Sequence, residues 1–182
     1  MYYQFGRKDP FVGSTEIYDI NGTSKSTGAT IATGKVTFAK AVQTPATFYT
    51  YGSGNYDWAS PNNYTSKNWN DISESDGKTI FDPCPEGWRL PTKAEYSNFS
   101  TTTFTWDAAN SGRTYNGNWF PAAGYRSSGD GSMSSVGSNG SCWSASPGSE
   151  SNGYYLYFYS GYVNPAGYHN RAYGFSVRCV QE

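Results

Sequence analysis

Residues Asp82 to Phe99 read DPCPEGWRLPTKAEYSNF and carry the clearest helix signal in the chain. Thr92 with Glu95 three residues later is a capping box, in which the hydroxyl and the carboxylate reciprocally satisfy two backbone donors that a helix start leaves orphaned. The spacing predicts a helix from Lys93 that turns Tyr96 and Phe99 inward. Around it the pattern is that of short strands. Upstream, YYQFGRKDPF (Tyr2 to Phe11) reads as an aromatic strand closed by the turn signal Asp9-Pro10, Asn21-Gly22 is a tight turn, and Val36 to Ala39, Ala41 to Pro45 and Phe48 to Tyr51 are short apolar pieces. Downstream come Trp119 to Arg126 as a strand and turn, a Ser/Gly-rich run to Gly140, Cys142 to Ser146, the alternating Tyr154 to Tyr159, and a last strand, Gly174 to Val180. The reading is one helix among many short strands.

Length and composition bound the answer. The 182 residues suit one domain over 1–182, and the mean hydropathy of −0.68 is offset by 18% aromatic and only 15% charged residues, unlike a disordered chain. Thirteen basic against fourteen acidic residues, a net charge of −1 and no Lys/Arg cluster give no footprint for a nucleic-acid backbone. No apolar run reaches membrane-span length, and Met1-Tyr2-Tyr3-Gln4-Phe5 has neither the basic nor the apolar region of a signal peptide. A Met directly on an aromatic strand reads as a trimmed start, so a leader or anchor is expected outside this stretch. Cys84, Cys142 and Cys179 are too few for a disulfide scaffold and lack metal-ligand spacing. Cys84 precedes the capped helix and Cys179 faces inward, so these two are expected within bridging reach, with Cys142 unpaired, as suits an exported protein.

Chemistry concentrates in Ser151 to Tyr173, SNGYYLYFYSGYVNPAGYHNRAY, where seven tyrosines stand among Gly, Ser and Asn with Arg171 the one formal charge. Tyrosine supplies stiff amphipathic contact area, and Ser, Gly and Asn supply adaptable hydrogen bonding, the composition of recognition loops. A Tyr-rich strand pair has the same ingredients. Here strand character stops at Tyr159 and the aromatics persist through Ser160 to Gly167, which reads as a loop. Alternation puts Tyr154, Leu156 and Phe158 on one face and Tyr155, Tyr157 and Tyr159 on the other. His169, the chain's single histidine, would have to serve any Ser-His-Asp triad or histidine metal cluster. No acid is placed to orient it, and beside Tyr168 and Asn170 it reads as a contact residue. Asn68-Trp69-Asn70-Asp71 contains the Trp-Asn-Asp of calcium-dependent sugar-binding lectins, but it precedes the helix and lacks a Glu-Pro-Asn or Gln-Pro-Asp partner, while calcium needs six to eight oxygens. No metal or cofactor is expected.

DPCPEGWRLPTKAEY, WFPAAGYR, the CWSAS segment and the terminal GFSVRCV together resemble the bacterial major paralogous domain of gut Bacteroidales, with support from YYQFGRKDPF and AVQTPATF, so the resemblance covers nearly the whole chain. It implies an α+β, C-type-lectin-like fold of short antiparallel strands with one or two helices, loop-rich, in which C-terminal loops and strands form a ligand-binding face at about 141–173. Members diversified by retroelements, in these bacteria or their phages, keep the terminal motif and vary what precedes it. By that resemblance the ligand-binding positions are Ser141, Cys142, Tyr157, Tyr159, Gly161, Tyr162, Asn164, Gly167, Tyr168, His169, Asn170 and Tyr173, and the fixed scaffold is Trp143, Leu156, Phe158, Val163, Pro165, Arg171, Gly174 and Phe175. The family usually has an aromatic at Cys142 and Ala at Gly153.

The expected function is therefore a non-enzymatic receptor or adhesin, outside the cell or on a cell or virion surface, acting as a monomer on a protein or glycan of another cell or virus. Two other classes compete. WRLPTKAEY and GFSVRCV are also similar to motifs of formylglycine-generating oxidases, which need a reactive cysteine pair, and a structural stalk-tip adhesin would use the tyrosines to bind a sister subunit.

Overall fold

A computed structural model describes the protein except residues 14–15, 19, 27–28, 55, 61–68 and 70–77, with the backbone alone for 16–18 and 24–26. The calcium-type reading at Asn68, Asn70 and Asp71 lies outside the described residues. The strands are β1 (Tyr3–Gln4), β2 (Glu16–Tyr18), β3 (Ser24–Ser26) and β4 (Thr30–Ala32), then, past helix α1 (Phe38–Gln43), β5 (Thr47–Tyr49) and β6 (Trp88–Arg89). After a 3-10 turn at Ala94–Tyr96 come β7 (Thr105–Asp107), β8 (Gly112–Tyr115), β9 (Asn118–Pro121), β10 (Tyr125–Arg126) and β11 (Met133–Ser134). The chain finishes with β12 (Asn139–Pro147), β13 (Asn152–Tyr159), β14 (Tyr162–Asn170), β15 (Gly174–Phe175) and β16 (Val180–Gln181). They form small sheets ordered β12-β13-β14, β1-β15-β10-β11, β7-β8-β9, β16-β6 and β2-β3, all antiparallel, plus the parallel pair β4-β5.

This overturns the expected α+β, C-type-lectin-like architecture: the described chain is β-rich, with one six-residue α-helix. The capping box does form, with Thr92 N donating to Glu95 Oε2 at 2.7 Å and Glu95 N to Thr92 Oγ1 at 3.4 Å. It starts a single 3-10 turn and no more. The cause lies in the residues after Tyr96. Ser97, Asn98 and the Ser100 to Thr103 run favour local side-chain hydrogen bonds over a helix, and Thr103 Oγ1 donates to Asn98 O at 2.6 Å while Ser100 N donates to Thr103 Oγ1 at 3.0 Å. Helix α1 instead lies within a stretch read as apolar fragments. Thr37 caps it by accepting from Lys40 N at 3.2 Å, and it ends at Thr44, just before Pro45, which disfavours helix in the residue preceding it.

The core is aromatic. One cluster gathers Phe5, Trp69, Leu90, Trp143, Tyr155 and Phe175, a second Tyr96, Phe99, Phe104, Phe120, Leu156 and Phe158, and a third Trp58, Tyr49 and small residues around α1. Cys84 and Cys179 are bonded, with Cα atoms 5.8 Å apart, across 95 residues of sequence. Cys142 is a free buried thiol that burial pushes up to about 12. Among the described residues no helix is long and apolar enough to cross a membrane.

Closing so long a loop removes denatured-state entropy worth about 2–5 kcal/mol. Cys84→Ala/Cys179→Ala is expected to lower the urea unfolding free energy by that amount, and a loss below about 1 kcal/mol would show the bridge to be incidental to the fold.

Candidate functional site

The stretch singled out for its tyrosines builds the sheet with the longest described strands, β12-β13-β14. Period-2 alternation divides it between two surroundings. Leu156 and Phe158, 0% exposed, pack with Cys142 onto Phe99, Phe104 and Phe120, sealing one face. On the other face Trp143 and Tyr155 are covered by Phe5, Trp69 and Phe175. That cover stops short of the strand ends, where Tyr159 and Tyr162 are 38% and 44% exposed and Tyr157 is half-buried. Their rings form a continuous set, with centroids 6.0 Å apart for Tyr157–Tyr159, 5.6 Å for the stacked Tyr159–Tyr162 and 6.3 Å for Tyr157–Tyr162.

The expected loop from Ser160 to Gly167 is a strand. Only Ser160 and Gly161 turn, since Tyr159 pairs with Tyr162, and β14 continues to Asn170. The apparent break is a bulge. Tyr157 faces Asn164 and Tyr155 faces Gly167, so the partner strand has one residue between its pairs where β14 has Pro165 and Ala166. A proline is tolerated there because β14 is the sheet's edge and a bulge needs no ladder donor, and Asn164 Oδ1 accepts from Ala166 N at 3.0 Å. The turn is gripped from beneath by Arg113, 2% exposed, whose guanidinium donates to Tyr159 O at 2.8 and 3.1 Å and to Ser160 O at 2.9 Å. Sequence reading misses Arg113, since nothing near it in the chain distinguishes a buried arginine from an exposed one.

Below the tyrosines lies a cavity of about 170 Å³. Ser141, Tyr157, His169 and Tyr173 line it, and so do Tyr125, Asn139, Tyr155 and Phe175. The first four are among the positions implied by the resemblance. Of the others, Tyr155 is legible from its alternation with Tyr157 and Tyr159, whereas Tyr125 arrives from β10 through tertiary pairing alone. Tyr125 and Tyr173 stand 5.4 Å apart, His169 and Tyr173 4.3 Å, Tyr155 and Phe175 4.6 Å. Asn139 Nδ2 donates to the Tyr157 hydroxyl at 3.0 Å. Gly167 contributes by lacking a side chain, because a Cβ there would stand 2.8 Å from Tyr155 Cε1.

Not all the expected positions join this face. Asn164 shares it through its pairing with Tyr157, and Gly161 sits exposed at the turn. Cys142, paired with Leu156, is buried on the opposite face. Tyr168, 47% exposed, pairs with Tyr154 on that opposite side, where Lys93 lies 4.3 Å over the Tyr154 ring, and Asn170 follows the same parity opposite Asn152. Ser141 is 2% exposed and lines the cavity.

Among the described residues no Lys, Arg, Asp or Glu lines the cavity. Burial raises the phenols of Tyr155, Tyr157 and Tyr173 above their usual value, so all three keep their protons. Burial also lowers His169 below the ordinary imidazole value, against the opposing influence of its bond with Asn170, whose N–H donates to Nδ1 at 2.9 Å. Among the described residues no cluster of His, Cys, Asp and Glu could hold a metal.

A family model described as a domain of unknown function (DUF8237) matches residues 106–180, from β7 to the start of β16, which includes the whole tyrosine sheet and every wall of the cavity. No curated protein and no solved structure matches the chain.

Tyr159→Ala/Tyr162→Ala should leave the unfolding free energy within about 1 kcal/mol of the parent, whereas Phe158→Ala should cost about 3–5 kcal/mol; a collapse of the double tyrosine variant would make those rings core. Because the folded state disfavours the His169 imidazolium, it gives stability that is present above the unfolded histidine's pKa and is lost as pH falls through the lower folded one. An NMR titration of the His169 ring should give a midpoint below about 6.5, and a midpoint at or above that value would contradict its burial.

Proposed function

We propose that this chain is a non-enzymatic binding module, of receptor or adhesin type, whose recognition surface is the exposed set Tyr157, Tyr159 and Tyr162 with Asn164 beside it and the cavity of Ser141, His169 and Tyr173 at its foot. The observation that carries this reading is the pairing of exposed stacked tyrosines with a sealed core directly behind them: Tyr159 and Tyr162 are exposed while Leu156 and Phe158 are 0% exposed. Large rings held on a sheet lose little entropy on binding, and a few Tyr anchors can supply most of an affinity. The partner is a protein or glycan of another cell or virus, met as a monomer at a cell or virion surface.

The oxidase alternative would need a reactive cysteine pair. Cys84 and Cys179 are joined to each other, and Cys142 is buried with its thiol pushed up to about 12, far from a nucleophile at neutral pH. These features weigh toward binding.

The resemblance to retroelement-diversified proteins gives the surface an origin in adenine-directed mutagenesis. Replacing the adenines of AAC or AAT codons can yield Tyr, Ser, Gly, Asn, His, Ala or Cys but never Lys, Glu, Gln, Trp or Met. None of those five occurs from Ser151 to Tyr173. The encoding locus should hold an imperfect repeat of this stretch differing only at adenines, beside a reverse transcriptase; its absence would leave an ordinary, undiversified binder.

The binding reading is tested by screening the protein against a glycan array and against surface proteins of co-resident microbes. A specific ligand should emerge whose affinity falls at least about tenfold in Tyr159→Ala/Tyr162→Ala, the loss of one hot-spot anchor. Ligands indifferent to that change would remove the proposed surface.

A further inference from the structure

Resting on the reading of this sheet as a binding face, we propose that the cavity at its foot accepts a single uncharged, hydroxylated six-membered ring, the terminal pyranose of a glycan. Size sets the first limit. About 170 Å³ is slightly more than a protein cavity of roughly 150 Å³ that admits one benzene ring, so one ring fits and an extended chain must continue outward past Tyr157 and Tyr159.

Charge sets the second. An ion entering this space would leave water without a counter-ion, since among the described residues no Lys, Arg, Asp or Glu lines it and burial disfavours the His169 imidazolium. Such a transfer is costly. A neutral polar ligand meets no such penalty.

Hydrogen bonding sets the third. Tyr155 is 8% exposed and lines the cavity, where its phenol is a polar group that a ligand would meet. Around it the Tyr157 hydroxyl, which already accepts from Asn139 at 3.0 Å, keeps its own O–H to donate, and Ser141 adds another hydroxyl. The ring walls of Tyr125, Tyr173 and Phe175, spaced 5.4 to 6.3 Å apart, suit the apolar C–H face of a sugar. A few placed polar groups among aromatic walls is the usual form of a small-ligand site.

Saturation-transfer NMR on the intact protein tests this with the methyl glycosides of glucose, galactose, mannose and N-acetylglucosamine, with glucuronate, glucosamine and choline as charged counterparts. At least one neutral glycoside should bind at millimolar concentration and outcompete its charged counterparts. Tyr155→Phe, which removes one oxygen, should weaken it about fivefold, the worth of one hydrogen bond. Should Tyr155→Phe melt early, Ser141→Ala supplies the same comparison. Binding of no neutral glycoside, preference for a charged probe, or indifference to both hydroxyl deletions would overturn the proposal. If a screened partner still depends on Tyr159 and Tyr162 while no sugar enters, the cavity assignment alone fails; if neither binds, the binding-face reading fails with it.

Discussion

Three indole N–H groups hold the first segment of the chain in place, and the tyrosine sheet depends on that hold. Trp143 donates to Tyr3 O at 2.8 Å, Trp58 to Phe5 O at 2.9 Å and Trp69 to Arg7 O at 3.0 Å. The acceptors are every second carbonyl from Tyr3 to Arg7, a segment whose strand pairing is short. Buried carbonyls need partners, and in a chain of low mean hydropathy tryptophan supplies the donor together with the apolar volume. Trp143 belongs to β12, so the same bond that satisfies Tyr3 fixes the tyrosine sheet to the N-terminal segment. Phe5 completes the junction, 4.8 Å from Trp69 and 5.4 Å from Trp143, and it lies so close under Gly153 that a Cβ there would meet its ring at 2.4 Å. That contact gives a physical reason for glycine at the start of β13.

From this junction outward, the sheet gains rigidity at the end where its tyrosines are exposed. Arg113 binds the carbonyls of Tyr159 and Ser160, and Phe158 is wedged against Phe104 at 4.9 Å with Phe104 itself 0% exposed. A buried guanidinium satisfied by backbone carbonyls holds the turn without placing a carboxylate on the surface. The consequence is that the surface proposed for recognition is aromatic and hydroxyl-rich, without a charged side chain among the described residues that line its cavity, and stands on an ordered support. Such pre-organisation reduces the entropy lost on binding.

How much of this is legible in the sequence depends on the range over which each signal acts. The alternation in Tyr154 to Tyr159 correctly separates Leu156 and Phe158 from Tyr157 and Tyr159, because a strand's two faces are fixed by parity alone. The pairing of Cys84 with Cys179 also agrees with their expected positions. The capping box overstates the helix at Lys93, since a cap says where a helix can begin, and the Ser and Thr residues after Tyr96 decide that it does not continue. The segment after Tyr159 imitates a loop because Pro165 and Gly167 are turn residues in general and bulge residues on an edge strand. The same bulge shifts parity along β14, which is why Tyr168 and Asn170 fall on the face away from Tyr157. Tyr125, Asn139 and Arg113 reach the site from elsewhere in the chain, and no local pattern marks them.

The tyrosines stand on a rigid, hydrogen-bonded sheet and not on an adaptable loop, and native-state amide hydrogen exchange across residues 139–170 is the measurement that decides between the two. Amides of β13, paired on both sides, and of Val163 beyond the turn should exchange only as slowly as global unfolding allows. Exchange of β13 and β14 at the rate of exposed loops, with the rest of the core still protected, would contradict that rigidity.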